Sequence, residues 1–326
     1  MNKSKVNIGV LGCANIATRS MIPTINDLKE YFSLTGIASR SREKADKFAA
    51  INSTKAFDSY EQLLNDDKLE AIYIPLPNAL HAEWIEKALN RGLHVLVEKS
   101  LGCSLNEVEK LTRLAEKSQL TLMENFQFRF HPQLKVIKEL LEKDEIGELR
   151  GMRTSFGFPP FQDKNNIRYK NELGGGSLLD AGAYTIKISQ VFLGHEIMVK
   201  AASLHYDKEK EIDVWGGGFI KDTKSSLYSE IAFGFDNYYQ CNIELWGSAG
   251  KISTDRIFTA PPGFQCKILV EKQNERNTIK VNPSNHFANM LIQFYNTIGD
   301  RNQQQHEHRQ NVNQSRLIEE FRSLAL

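Results

Sequence analysis

Gly12-Cys13-Ala14-Asn15-Ile16-Ala17 has the form G-x-A-x-x-A, a relaxed dinucleotide-binding fingerprint. Gly12 allows a tight turn, small Ala14 lets the backbone approach a pyrophosphate, and Ala17 lets the next helix pack closely on its strand. That helix's N-terminus would then face phosphates. Further on stands Ala38-Ser39-Arg40-Ser41-Arg42, with no acid where an NAD site needs Asp or Glu for the ribose hydroxyls. Ser39, Arg40 and Arg42 suit a 2′-phosphate instead, which makes NADP(H) the expected cofactor. The plainer reading is an ordinary helix start with solvated arginines. Pro75-Leu76-Pro77-Asn78-Ala79-Leu80-His81 and Val97-Glu98-Lys99-Ser100 each leave a strand at the edge where doubly wound folds bind ligands. Asn78 can cap the next helix, and His81 is a packing or capping histidine rather than a catalytic one. A lysine at position 99 would stand over the nicotinamide end of a bound cofactor, or would be a surface lysine after a strand. In Gly174-Gly175-Gly176-Ser177-Leu178-Leu179-Asp180 and on to Tyr184, Asp180 and Tyr184 are four apart and share one helix face.

These residues need elements to hold them. Lys5–Leu11, Leu34–Ser39, Glu70–Ile74, Leu93–Val97 and Leu120–Met123 read as strands. Helices are expected at Asn15–Lys29, Arg42–Ala50, from an Asp58 cap to Leu64, at Asn78–Arg91, and from a Ser104–Glu107 capping box to Lys117. Repeated β-then-α units imply a Rossmann-type, doubly wound parallel sheet over residues 1–123. From residue 124 to 326 the pattern changes. A helix from His131 to Glu142, a strand at Glu148–Phe158, a helix from Ser177 to Phe192 and alternating runs over 197–281 imply an α+β domain. Its sheet should be largely antiparallel. Two helices should close the chain, at Asn285–Ile298 and Asn311–Leu324, with Gln303-Gln304-Gln305 in a solvated loop before the last.

Composition narrows the function. The 326 residues carry 41 Lys+Arg against 40 Asp+Glu, a balance that argues against a nucleic-acid stripe or a polybasic membrane patch. No apolar run approaches the roughly 20 residues of a membrane span. The four cysteines, Cys13, Cys103, Cys241 and Cys266, include no C-x-x-C pair and no metal-ligand spacing with histidine. They read as reduced thiols of a cytoplasmic protein without a structural metal. Val10-Leu11-Gly12-Cys13 looks like a lipoprotein cleavage site, but its apolar run is short and Asn7 interrupts its start.

Taken together, the motifs resemble the Gfo/Idh/MocA oxidoreductase family across nearly the whole chain, with Glu244-Leu245-Trp246-Gly247 in the second domain. Within it the chain is most similar to NADP-dependent nucleotide-sugar 3-ketoreductases. Three stretches carry that likeness: Glu124-Asn125-Phe126-Gln127-Phe128, Asn166-Ile167-Arg168-Tyr169, and Asp255-Arg256-Ile257-Phe258-Thr259-Ala260-Pro261-Pro262. So does Tyr184, where the wider family usually has histidine. Ser100 replaces the proline of the family's usual Glu-Lys-Pro.

The resemblance implies cofactor contacts from Gly12, Cys13, Ala14, Asn15, Ile16, Ser39, Arg40, Arg42, Leu76, Pro77, Asn78, His81, Glu98, Lys99 and Asn125. It implies reduction of a C3 keto group on a nucleotide-linked deoxyhexose, and a homo-oligomer, dimer or tetramer, formed through the C-terminal sheet. Tyr184 would donate the proton. A free phenol has a pKa of about 10, and the Lys99 ammonium would lower it and stabilise charge on the carbonyl oxygen. Asp180 would orient Lys99 or a sugar hydroxyl, or make a structural hydrogen bond. Arg168 and Arg256 suit a diphosphate, and Phe126 and Tyr169 a base or sugar face. Two alternatives stand beside this. One is a dehydrogenase of a free sugar, polyol, dihydrodiol or nucleotide-sugar uronate. The other is a non-catalytic, cofactor-sensing regulator.

Overall fold

The protein is described by a computed structural model covering residues 4–325. The chain folds as two units, Met1–Asn125 with Phe287–Val312, and Phe126–His286 with Asn313–Leu326. The first contains six strands, β1 (Val6–Leu11), β2 (Phe32–Ala38), β3 (Lys55–Phe57), β4 (Ala71–Ile74), β5 (His94–Glu98) and β6 (Leu122–Asn125). All pair in parallel, in the order β3-β2-β1-β4-β5-β6. β4 is buried at every residue, as expected of a strand covered on both faces. The β1–β2 and β1–β4 pairings run in opposite directions across the sheet, which puts the topological switch point at the carboxyl end of β1.

Its helices are α1 (Ile22–Asp27), α2 (Arg42–Ile51), α3 (Tyr60–Leu64), α4 (Asn78–Asn90) and α5 (Leu105–Ser118). The buried faces of α4 and α5 offer Ile85, Leu89, Val108 and Leu111 to a core shared with Ile72, Ile74, Val95 and Val97. α5 starts as its capping box indicates: Ser104 Oγ accepts from Glu107 N at 3.3 Å. The returning Glu107 carboxylate accepts from Cys103 N at 2.8 Å, one residue earlier than the usual pattern.

Several local expectations are corrected. The helix expected over Asn15–Lys29 contains a π-helical turn at Ala17–Met21 before α1. Pro23 lacks an N–H, so the four-residue ladder cannot run through it. β3 was not expected, because three residues are too few for periodicity to register. Ser59, not Asp58, caps α3, accepting from Gln62 N at 3.1 Å, while Asp58 pairs with Arg42. Pro77 occupies the cap position of α4, and Asn78 is its first helical residue.

The second unit has α6 (Pro132–Glu142), α7 (Ala183–Leu193) and eight strands: β7 (Leu149–Gly157), β8 (Ile197–Asp207), β9 (Ile212–Asp222), β10 (Tyr228–Gly234), β11 (Gln240–Gly247), β12 (Gly250–Asp255), β13 (Cys266–Lys272) and β14 (Glu275–Val281). Their order is β14-β13-β12-β11-β7-β10-β9-β8, antiparallel except where β7 meets β10. α6 packs on β13 and β14, and α7 on β7 and β10. β11 shows the alternation of a one-sided sheet: Cys241, Ile243 and Leu245 are buried, while Gln240 and Trp246 are exposed.

α8 (His286–Thr297) and α9 (Arg301–Ala325) end the chain. Gln303–Gln305 lie inside α9 rather than in a loop, because Asp300 caps it, accepting from Gln303 N at 3.1 Å. Phe287–Val312, expected in the second domain, belongs to the first unit. Tyr295 sets its ring against Tyr31 and Phe32, and Asn311 Nδ2 donates to the Leu122 carbonyl at 2.9 Å. Among the described residues no helix is long and apolar enough to cross a membrane.

Candidate functional site

In the first unit the fingerprint turn follows β1 directly. Gly12 has φ +129°, and a β-carbon there would lie 3.0 Å from Leu76 Cδ2. Glycine alone takes that backbone cheaply. Gly12 N–H donates to the Ala38 carbonyl at 2.9 Å, tying the turn to the end of β2. Ala17 is fully buried, as its packing role requires, while Asn15 is exposed and Cys13, Ala14 and Ile16 are half-buried. Burial pushes the Cys13 thiol up, against a hydrogen bond to Ser39 and the charge of Lys44. The Ser39 hydroxyl also accepts from Ser41 N at 3.3 Å.

The two arginines of this segment differ. Arg40 is exposed, and its backbone is bonded by Tyr60. Arg42 is held by Asp46 at 2.8 Å and by Asp58. Arg40 is therefore the guanidinium better placed to take a 2′-phosphate, and Arg42 would have to leave two carboxylates to do so.

Lys99 owes its setting to α4. Asn78 Oδ1 accepts from Ser100 N at 3.2 Å, a bond that proline could not make. The Lys99–Ser100 peptide bond is cis. His81, three residues after Asn78, lies between two carbonyls, with Nδ1 at 2.7 Å from Ser100 O and Nε2 at 2.8 Å from Leu76 O. It is fully buried and bridges the loops after β4 and β5. Burial pulls its pKa down to about 4, against those carbonyls. Leu76 is thus fixed against Gly12 on one side and through its carbonyl on the other.

Glu98 accepts from Tyr73 Oη at 2.5 Å and from Asn125 Nδ2 at 2.6 Å. Burial pushes its carboxyl up against these donors and the Lys99 charge. Asn125 is fully buried, and its Oδ1 has no hydrogen-bond partner among the described residues. An unmatched buried acceptor costs about 1–3 kcal/mol, which a donor on a bound ligand would offset. An orphan acceptor at the carboxyl edge of the sheet, a glycine turn at the switch point and an exposed Arg40 together fit a phosphorylated nicotinamide dinucleotide.

In the second unit, a π-helical turn, Leu178–Gly182, leads into α7. Asp213 of β9 holds its start, accepting from Ser177 Oγ and Leu178 N, each at 2.6 Å. Gly176 has φ +107°, and a β-carbon there would sit 2.4 Å from Asp213 Oδ1. The glycine loop therefore closes on Asp213. Burial pushes that carboxyl up against the Ser177 and Leu178 donors.

Asp180 accepts from Arg168 Nε at 2.6 Å, so two of the candidate residues form one ion pair. Tyr184 is buried among Phe126, Phe128, Phe156 and Phe258, with ring centroids at 5.3, 5.7, 5.1 and 5.6 Å. Phe126 has no exposed surface. It is a wall of this cluster. Tyr169 accepts from Phe161 N at 3.0 Å through its hydroxyl, and its ring meets Phe161 and Phe235. Arg256 lies over Tyr239 and Phe264, 4.8 and 6.0 Å from their centroids. Arg168 and Tyr169 are neighbours on the same turn.

The sequence offers no hold on Asp213 or on the Asn78–Ser100 bond. An acid at the second position of the glycine-rich strand β9 was the signal for the first. Among the described residues no group of three or more His, Cys, Asp or Glu could hold a metal.

Comparison with known proteins follows the same division. Residues 6–126 match a model described as an oxidoreductase family with an NAD-binding Rossmann fold, and residues 134–253 match the GFO/IDH/MocA C-terminal domain. The chain is 40% identical to a dTDP-3,4-didehydro-2,6-dideoxy-alpha-D-glucose 3-reductase of Saccharopolyspora spinosa over 271 residues, 83% of this chain and 81% of the relative. It is 33% identical to the Streptomyces antibioticus protein of the same name, over 100% of this chain and 98% of the relative. KijD10, a 3-ketoreductase from Actinomadura kijaniata solved with NADP and TDP-benzene, superposes with a TM-score of 0.94 at 32% identity, covering 98% of each chain. KijD10 has also been solved with a tyrosine replaced by phenylalanine and with a lysine replaced by alanine.

Proposed function

We propose a function from the premise that the chain belongs to the Gfo/Idh/MocA oxidoreductase family: it is an NADPH-dependent 3-ketoreductase of a thymidine-diphosphate-linked 3,4-didehydro-2,6-dideoxyhexose. The observation that carries this reading is full-length similarity to 3-reductases of that substrate, with Lys99 and Tyr184 both present. Exposed Arg40 beside Ser39 supports NADPH over NADH.

NADPH, when bound, supplies the hydride that reduces the carbonyl. The chain must do three things around that step. The Gly12 turn and Arg40 bind and orient phosphates. Lys99, held by the Asn78 bond to Ser100, supplies positive charge for the oxygen as it gains electron density. Tyr184 gives its hydroxyl proton to that oxygen, and the water-excluding rings around it hold the phenol in one orientation. The Arg168–Asp180 pair holds Asp180 in the turn that leads into the Tyr184 helix, and Arg168 is the guanidinium this reading assigns to the diphosphate.

The same reading places copies of the chain together through the open face of the eight-stranded sheet, as a dimer or tetramer. Trp246 and Trp215 are 54% and 43% exposed on it, a large aromatic area for a surface to leave bare. A cytoplasmic location is compatible with four thiols, none of them in a disulfide.

Calorimetry of the NADP-loaded protein with dTDP, UDP, GDP and CDP tests the substrate handle. Tight binding of dTDP, at least about tenfold stronger than the others, is expected from a site that hydrogen-bonds its base. Binding of none of the four, with NADP still bound, would overturn the nucleotide-sugar reading in favour of a free-sugar or polyol oxidoreductase.

A further inference from the structure

Arg256 is the first residue after β12, and it takes a left-handed backbone with φ +58°. A residue with a β-carbon seldom adopts that conformation and keeps it only where the surroundings impose it. Here two elements do so. Ile257 N donates to the Cys241 carbonyl of β11 at 3.0 Å. Gln133, the second residue of α6, donates through Nε2 to the carbonyls of Arg256 and Ile257, at 3.3 and 3.2 Å.

Gln133 has no exposed surface, and its Oε1 has no hydrogen-bond partner among the described residues. Turning the amide over would set Oε1 against two carbonyls, so its orientation is fixed. An unmatched buried acceptor costs free energy, so this side chain is there for its donors. Its own backbone is anchored as well: Gln133 N donates at 3.2 Å to Nδ1 of His131, the cap of α6.

The segment held in this way presents a cation. The Arg256 guanidinium centre lies 4.8 Å from the Tyr239 ring centroid and 6.0 Å from that of Phe264. Tyr239 is fixed through its hydroxyl, 3.1 Å from Thr259 Oγ1. Phe264 ends a turn closed by its N–H on the Pro261 carbonyl at 3.0 Å, with Gly263 at φ +86°. Ring contacts use the cation's charge and leave its N–H groups to donate elsewhere. Arg42 and Arg168 are each bonded to a carboxylate, whereas among the described residues no carboxylate pairs with Arg256.

We propose that Gln133 is a positioning residue for substrate binding. By locking the left-handed turn at Arg256 and Ile257, it holds the Arg256 guanidinium in place to take the diphosphate of the nucleotide-linked substrate. Donors that are already ordered lose less freedom when the ligand arrives. The proposal rests on the nucleotide-sugar reading and on Arg256 meeting the substrate; Gln133 itself acts only through Arg256.

Calorimetry of dTDP binding to the NADP-loaded protein measures this grip. Arg256→Met is expected to weaken dTDP about tenfold, and Gln133→Met to weaken it by a similar factor with NADP affinity unchanged. In the Arg256→Met background, Gln133→Met is expected to cost no further dTDP affinity, because the arginine through which it acts is gone. Gln133→Asn, which keeps an amide one methylene too short to reach both carbonyls, replaces the methionine variant if that one does not fold. A glutamine that only stabilises the fold would lower the melting temperature and leave dTDP affinity as it was, and that result overturns the proposal. Losses that simply add in the double variant overturn it too. If Arg256→Met binds dTDP like the wild type, the proposal fails at its premise. If the wild type binds no dTDP, the nucleotide-sugar reading fails and the proposal with it. Both of these results are read without any Gln133 variant.

Discussion

Arg40 and Arg42 are two residues apart in sequence and differ in what they are doing. Arg42 is engaged by two carboxylates, so Arg42→Ala should cost little NADP(H) affinity. Arg40→Ala should weaken NADP(H) at least about tenfold while leaving NAD(H) almost unchanged, the loss of one charge-assisted phosphate contact. Fluorescence titration with both cofactors checks this, and equal losses for the two would remove Arg40 from the 2′-phosphate. Tyr184→Phe should bind NADP(H) normally and turn over at least about tenfold more slowly. Both side chains were legible in the sequence because their types are rare at such positions. The carboxylates on Arg42 were not, since Asp58 read as a helix cap. Asn125 was legible only as part of a likeness; its unmatched Oδ1 depends on where Glu98 and Tyr73 stand in three dimensions.

At the level of elements, the glycine loop and the π-helical turn are governed by Asp213. Gly176→Ala places a β-carbon where Asp213 Oδ1 stands and demands φ +107° of alanine. It should lower the melting temperature by several degrees, on the order of 1–3 kcal/mol, and reduce kcat by displacing Asp180 and Tyr184 together. Calorimetric melting and steady-state kinetics on the same preparation check both halves; loss of stability with normal kcat would detach the loop from the helix. The long strands and α4, α5 and α7 could be read from apolar periodicity, because their buried faces are continuous. β3 could not, being three residues long. The start of α9 could not either, since Asp300 and a buried Gln304 organise it without an apolar stripe.

The whole molecule should be sensitive to acid. His81, His94 and His286 are each held neutral by burial, with pKa values pulled down to about 4. An unfolded histidine titrates near 6.5, so between about 6.5 and 4 the unfolded chain binds the extra protons. Stability is therefore full above that window, falls as pH drops through it by about 1.4 kcal/mol per pH unit for each histidine, and levels off below it. Urea unfolding across this range should show the slope, and His94→Gln should flatten it. Trp246→Glu should dissociate an oligomer held by the open sheet face, with sedimentation velocity as the measurement; an unchanged species would move the interface elsewhere.

The chain passes from one unit to the other at Asn125/Phe126, returns at His286/Phe287, and leaves again at Val312/Asn313, inside α9. The protein is therefore not two cassettes joined end to end. A recombination event that exchanged everything after residue 125 would also replace the segment carrying Tyr295 and Asn311, against which Tyr31 and the end of the first sheet are fitted. Substrate specificity in such a chain has to be inherited or engineered as an internal block, Phe126–His286, spliced into a host that keeps its own Phe287–Val312.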